Sequence, residues 1–254
     1  MSISVRSGPL APGIAFITGG ARGIGNAVAV SFAKEGAKGI ALVDTLSDSA
    51  LAEGKAAVEA YGTKCITIHA DVTDETQVSQ AVAGTVQVFG RIDYAANFAG
   101  IAGPLDATVD TETEKWKRVI NINCTEGRVP QLRSIVNCAS VNSTQAGAGL
   151  SGYTAAKHAV LGITKTGALE AREYHIRVNC GFLRTQILET KESREDGLGG
   201  DSAESLWGQF EARQGRRAMV EEIGDVVLLL STPRMSLVNG HNLVVDNGFT
   251  ICET

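Results

Sequence analysis

Residues 13–25 narrow the choice of fold more than any other part of the chain. The apolar run Gly13-Ile-Ala-Phe-Ile17 leads directly into Thr18-Gly-Gly-Ala-Arg-Gly-Ile-Gly25. The run reads as a strand, the glycines as a tight turn, and the residues from Gly23 onward as the start of a helix. Gly19, Gly23 and Gly25 allow the backbone to turn sharply and to approach a pyrophosphate, whose charge then sits at the amide-rich end of the helix, beside Arg22 and Ile24.

The rest of the chain repeats this alternation. Strand-like runs fall at 13–17, 39–43, 65–69, 92–96, 134–138, 176–180 and 242–246. Helix-like stretches fall between them at 23–35, 47–61, 75–88, 112–124, 152–174, 203–213 and 220–230. Apolar strands separated by helices predict an α/β chain whose parallel sheet, of seven strands, is covered on both faces. With 254 residues, no internal repeat and no linker, the whole chain 1–254 is expected to be one doubly wound domain, with 1–12 flexible.

A second constellation carries chemistry. Tyr153 and Lys157 are four apart in Gly152-Tyr-Thr-Ala-Ala-Lys157, and Ser140 precedes Tyr153 by thirteen residues. On a helix over 152–174 that spacing puts the phenol and the ammonium on one face, one turn apart. A free tyrosine ionises near pH 10, so acid/base work near neutrality needs a shift of roughly three units, or on the order of 4 kcal/mol, and a neighbouring cation acts in that direction.

Together the two motifs resemble the short-chain dehydrogenase/reductase family, in its compact form of about 250 residues. The resemblance runs from Gly13 to Gly248. It includes Asp71-Val72 after a strand, Asn97-Phe-Ala-Gly100 where the family writes Asn-Asn-Ala-Gly, Trp116-Lys-Arg-Val-Ile-Asn-Ile-Asn123, and Asn239-Gly-His-Asn-Leu-Val-Val-Asp-Asn-Gly248. It implies a Rossmann fold and a hydride moved between a nicotinamide cofactor and a secondary alcohol or ketone. Tyr153 would be the acid/base. Lys157 would lower its pKa and hold the nicotinamide ribose, Ser140 would bond the substrate oxygen, and Asn123 would hold a helix distortion and a water. Asp71, Val72, Asn97 and Gly100 would line the cofactor, and Thr185 would reach its carboxamide.

The cofactor's identity turns on Asp44, nineteen residues beyond Gly25 at the end of the second strand. A carboxylate there accepts bonds from ribose hydroxyls and repels a 2′-phosphate, which favours NAD over NADP, while Arg22 pulls modestly the other way. Asp44 also stands where it would cap the helix starting near Ser47.

Two stretches depart from the family pattern. Cys124-Thr-Glu-Gly-Arg-Val-Pro-Gln-Leu-Arg133 is short by roughly ten residues, and Gly127 and Pro130 would break a helix there. Arg177-Val-Asn-Cys-Gly-Phe-Leu-Arg-Thr185 lacks about three residues, counted against the family's Pro-Gly turn. A second reading therefore stands beside the enzyme, namely a dinucleotide-binding protein of the same fold with little or no turnover. The polar interval 189–213 would form the cover over the substrate, with Trp207 and Phe210 lining it. Relatives pair through two surfaces. Because the shortened stretch belongs to one of them, a homo-oligomer is expected, a dimer rather than a tetramer.

Bulk properties exclude other classes. A net charge of -5, with no block of lysine or arginine, argues against a nucleic-acid surface. No run approaches about 18 apolar residues, so neither a membrane partner nor export is expected. Cys65, Cys124, Cys138, Cys180 and Cys252 are scattered without a Cys-x-x-Cys pair and read as free thiols in a reducing, cytoplasmic setting. His69, His158, His175 and His241 lack metal-ligand spacing.

Overall fold

The computed structural model describes residues 8–124, 132–183, 208, 214–216 and 218–251. In chain order the main elements are β1 (Ile14–Thr18), α1 (Gly23–Lys34), β2 (Gly39–Asp44), α2 (Asp48–Glu59), β3 (Cys65–His69), α3 (Glu75–Phe89), β4 (Tyr94–Asn97), α4 (Thr113–Cys124), β5 (Ser134–Cys138), α5 (Ser151–Glu170), β6 (Arg177–Leu183), α6 (Val220–Ser231) and β7 (Asn242–Val245). The sequence pattern located these elements to within a few residues. The helix expected at 203–213 and the cover expected over 189–213 lie outside the described residues, Gly208 apart. So do the shortened stretch at 125–131 and, within the flexible start expected for 1–12, residues 1–7.

Every pairing in the seven-stranded sheet is parallel, in the order β3-β2-β1-β4-β5-β6-β7. The chain builds outward from β1 to β3, then crosses to the other side of β1 to lay down β4. That reversal leaves a crevice at the carboxyl ends of β1 and β4, the place where open α/β sheets take ligands.

Both faces are covered because the strands are apolar on both sides. One core joins Ala15, Ile17, Ile40, Leu42 and Val136 of the sheet to Val28 and Phe32 of α1, Leu51 and Val58 of α2, and Ile223 and Val227 of α6. On the opposite face Phe16, Ala41, Val43 and Ala95 pack with Ala81 and Val82 of α3, and Val160 of α5 packs with Ala139 and Cys180. Among the described residues no helix is long and apolar enough to cross a membrane.

The position of α1 is set by α6. A Cβ at Gly224 would stand 2.6 Å from the Ala27 carbonyl oxygen and 2.6 Å from Ser31 Oγ, and Ser31 Oγ donates to Asp225 Oδ1 at 2.8 Å. At the far end of the core, Arg177 donates to the carbonyls of Leu230, Ser231, Thr232 and Val238, a cation on the orphan carbonyls that close α6. Gly224→Val should force the two helices apart and cost about 1–3 kcal/mol, as overpacking does. Denaturant unfolding of the purified variant measures it.

Candidate active site

The glycine-rich turn is held open at its mouth and tight at its base. Gly19 adopts φ +67, and a Cβ there would lie 2.6 Å from the Phe98 carbonyl oxygen. A Cβ on Gly25 would come within 2.1 Å of the Gly19 carbonyl oxygen, whereas one on Gly23 would meet nothing within 4 Å. α1 begins after an exposed Arg22, with no side chain bonded to its first amides and no acidic residue in its first turn. Its first turn therefore offers its amides without an acidic residue of its own, and the cradle fits the pyrophosphate of a dinucleotide. Ile24, behind the turn, packs on the core.

Asp44 closes the turn from the side. Its Oδ2 accepts from the Ala21 amide at 3.0 Å, and its Oδ1 accepts from the amides of Thr45 at 2.8 Å and Leu46 at 3.2 Å. It does not cap α2. Ser47 does, accepting from the Ala50 amide at 3.4 Å, because it is the residue immediately before the first helical turn. Asp71 follows β3 and takes the Thr73 amide and hydroxyl, both at 2.8 Å, with Val72 beside it and half-buried.

Thr18 joins the two strands that flank the crevice, its Oγ1 accepting from the amides of Phe98 at 3.0 Å and Ala99 at 3.2 Å. Phe98, where the family writes asparagine, is buried in the core. Asn97 donates to Asn137 Oδ1 at 2.9 Å, and Asn137 donates to Thr164 Oγ1 at 3.0 Å. This buried polar chain runs from the end of β4 through β5 into α5.

At the next strand end the chemistry-bearing side chains meet. Ser140 follows β5 and heads a short 3₁₀ turn, Val141–Ser143, its Oγ accepting from the Asn142 amide at 3.2 Å. Asn142 Nδ2 donates to Thr154 Oγ1 at 3.0 Å, fixing that turn to the first turn of α5. The Ser140 hydroxyl also stands near enough to the Tyr153 phenol to pull its ionisation down. Lys157, only 2% exposed, donates to the Cys138 carbonyl oxygen at 2.7 Å and lies 5.5 Å from the centre of the Tyr153 ring.

Burial pushes the Tyr153 phenol above its ordinary value, and the pull of Lys157 and Ser140 does not fully offset it. Lys157 pulls the phenol down, as expected, but burial is the larger effect. Burial also works against the Lys157 ammonium, but Cys138, Tyr153 and Cys124 outweigh it and hold the ammonium above its ordinary value.

Asn123, one residue before the end of α4, donates to the carbonyls of Val119 and Ile101, each at 2.8 Å. Its Oδ1 is buried and has no hydrogen-bond partner among the described residues. That oxygen faces Gly100, where a Cβ would lie 2.6 Å from it and 4.0 Å from Lys157 Nζ. Thr18, Asn97, Ala99, Asn123, Cys138, Lys157 and Val160 line one small cavity. Thr185 lies outside the described residues.

Sequence reasoning missed Asn137 and Cys138 in this arrangement. An asparagine inside the apolar strand Ser134-Ile-Val-Asn-Cys138 was the available signal, since a polar group buried there requires a partner. The lysine's partner left no signal, because it is a main-chain carbonyl.

A protein-family model described as enoyl-(acyl carrier protein) reductase matches residues 19–250. A short-chain dehydrogenase of Aspergillus ruber, fogB, is 35% identical over an alignment of 271 positions covering 94% of this chain and 97% of the relative. That alignment is longer than the 254 residues of the chain, so the relative carries residues that this chain lacks. Among solved structures, levodione reductase superposes with a TM-score of 0.79 at 31% identity, covering 94% of this chain and 98% of that one. Carveol dehydrogenase from Mycobacterium avium, in complex with NAD, superposes with a TM-score of 0.84 at 25% identity, covering 97% and 100%.

Gly25→Ala tests the cradle. Its added carbon would meet the Gly19 carbonyl at 2.1 Å, so the turn must open. NADH affinity, read from nicotinamide fluorescence, should fall at least tenfold, which is about 1.4 kcal/mol.

Proposed function

The chain belongs to the short-chain dehydrogenase/reductase family and is an NAD(P)-dependent oxidoreductase of alcohols and ketones; from that premise we propose that it uses NAD and that Tyr153 is its acid/base. The observation that carries this reading is the meeting of Tyr153, Ser140 and Lys157 at the carboxyl end of β5, beside the crevice that the glycine-rich turn opens.

The residues divide the work as follows. Gly19, Arg22, Gly23, Ile24 and Gly25 hold the pyrophosphate, and Asp44 binds the adenosine ribose hydroxyls. Asp71, Val72, Asn97 and Gly100 line the path between, and Thr185 serves the carboxamide. The bound cofactor supplies or accepts the hydride. Ser140 and Tyr153 hold the substrate oxygen between two hydroxyls, and Tyr153 passes a proton to that oxygen in reduction or removes one in oxidation. Lys157, fixed by the Cys138 carbonyl, keeps a positive charge beside the phenol and reaches the nicotinamide ribose. Asn123 holds a water with its unpartnered Oδ1, extending the proton path from Lys157. The phenol is protonated at neutral pH, as an ordinary phenol already is, and burial moves it further that way, so in the free protein it is able to donate.

The preference for NAD rests on the Asp44 carboxylate beside the turn, with Thr45 and Leu46 following rather than an arginine. The small and polar residues of 141–151 carry no charge, which fits a neutral alcohol or ketone better than an acid or phosphate. A cytoplasmic setting agrees with the free thiols of Cys65, Cys124, Cys138 and Cys180. The assembly we infer is a homodimer through β7 and α6, since β7 is the sheet edge and Val244 and Leu229 leave apolar surface exposed there.

Tyr153→Phe should lower turnover at least a thousandfold while NADH binding changes less than threefold, because only the hydroxyl is removed. Steady-state rates with a panel of ketones, beside a fluorescence titration, decide it; substantial retained turnover would sink the assignment. Asp44→Ala should weaken NAD binding about tenfold and narrow the gap to NADP, since it removes a ribose acceptor and a charge that repels the 2′-phosphate. Should the unaltered protein already prefer NADP, Asp44 serves only the Ala21, Thr45 and Leu46 amides.

A further inference from the structure

The carboxyl ends of β2 and β3 bring a histidine beside Asp44. The two strands pair in parallel with Asp44 opposite His69. Side chains alternate along a strand, and Ile40 and Leu42 of β2 and Cys65 of β3 all lie in the core on the α1 side of the sheet. Asp44 and His69 stand an even number of residues further on, so both project to that same face. Asp44 meets the glycine-rich turn there, through the Ala21 amide at 3.0 Å. β1 and its turn lie on one side of β2 and β3 on the other. With neighbouring strands about 4.8 Å apart, the imidazole flanks the carboxylate on the side away from the turn.

His69 Nε2 lies 3.0 Å from the Thr45 carbonyl oxygen. A carbonyl oxygen only accepts, so Nε2 carries a proton and donates. His69 is exposed, so core packing does not call for an imidazole at this position, and a bond to the loop that leaves β2 is what the imidazole supplies.

The Thr45 carbonyl and the Leu46 amide are the two ends of one planar peptide unit and point in opposite directions. His69 holds the first, and Asp44 Oδ1 accepts from the second at 3.2 Å. Asp44 Oδ1 also takes the Thr45 amide at 2.8 Å, and the Asp44 carbonyl takes the Ala70 amide at 3.1 Å. The unit is therefore pinned at both ends and cannot turn without breaking both bonds. Freed at its carbonyl, it would carry the Leu46 amide off the carboxylate. An unclaimed main-chain amide is a donor for an anion, whereas a ribose hydroxyl is better served by the carboxylate.

We propose that His69 is a positioning residue for cofactor choice: it fixes the Thr45–Leu46 peptide, which keeps the Leu46 amide on Asp44, aims the carboxylate at the adenosine ribose hydroxyls and denies that amide to a 2′-phosphate. The inference rests on the reading of Asp44 as the ribose acceptor. It adds a residue of β3 to a preference otherwise assigned to the end of β2, and the effect runs through Asp44 rather than through contact with the cofactor.

The test uses the full chain and isothermal titration calorimetry, with 5′-AMP and 2′,5′-ADP as probes that differ only in the 2′-phosphate. Fluorescence titrations with NADH and NADPH run beside them. His69→Ala should weaken 5′-AMP and NADH binding about threefold to tenfold, the ordinary net worth of one hydrogen bond, while 2′,5′-ADP and NADPH bind within twofold of the unaltered protein or more tightly. His69→Gln should restore the unaltered affinities, because its amide nitrogen reaches about as far as Nε2 and donates without a charge. His69→Asn, one bond shorter, should not. In an Asp44→Ala background His69→Ala should have no further effect, since the two act as one unit. Circular dichroism checks that each variant is folded. Equal weakening of all four ligands, a His69→Gln variant no better than His69→Ala, or an effect that persists in full without Asp44 would overturn the proposal. Binding of 5′-AMP that responds to Asp44→Ala but not to His69→Ala overturns this inference alone and leaves the reading of Asp44 standing. Indifference of 5′-AMP to Asp44→Ala would remove that reading and this inference with it.

Discussion

A single buried ammonium ties the two halves of the site together. Lys157 comes from α5, on one face of the sheet, and spends a hydrogen bond of 2.7 Å on the main-chain carbonyl of Cys138 at the end of β5. A lysine that is 2% exposed needs such company, because an unpaired buried charge is too costly to persist. Its neighbours, Tyr153 and the two thiols, keep it charged. The charge in turn holds α5 against β5, so that the phenol one turn earlier lies beside Ser140. Removing the ammonium would loosen helix, strand and phenol at once.

The surrounding polar network serves the same end. Asn97, Asn137 and Thr164 hand hydrogen bonds from β4 to β5 to α5, and Thr18 binds the amides that follow β4. Every strand end that borders the crevice is thereby tied to its neighbour by a side chain rather than by sheet hydrogen bonds alone. Fully satisfied buried networks of this kind favour one arrangement over near alternatives. Asn123 Oδ1, beside the same cavity, has no hydrogen-bond partner among the described residues, where the proposed proton path would use a further acceptor.

Much of this was legible in the sequence where physical constraint acts locally. Continuous apolar runs marked strands buried on both faces, and the glycine spacing marked the turn, because only glycine tolerates the 2.1 Å approach at Gly25. Local rules were less informative where partners come from afar. β4 begins at Tyr94, later than the apolar pattern starts, since Asp93 before it accepts from the Ile14 amide and pairs with Arg133. α5 gives way at Glu170 to a 3₁₀ turn that ends at His175, whose φ is 59. The capping role that Asp44's position also allowed went to Ser47, because the oxygens of Asp44 are taken by the glycine-rich turn and by its own loop. The net shift at Tyr153 was not legible for a related reason: spacing reveals the neighbouring cation, which does pull the phenol down, whereas burial is a property of the assembled fold.

The balance at Tyr153 is the centre of the account, and a difference titration of tyrosinate absorbance measures it without requiring turnover. Native protein minus Tyr153→Phe isolates this phenol among four tyrosines. The account predicts ionisation above the ordinary value of about 10, and a further upward move when the same difference is taken in a Lys157→Met background, because burial then acts without the opposing charge. A phenol that ionises below its ordinary value in the cofactor-free protein, or one indifferent to the loss of Lys157, would contradict it.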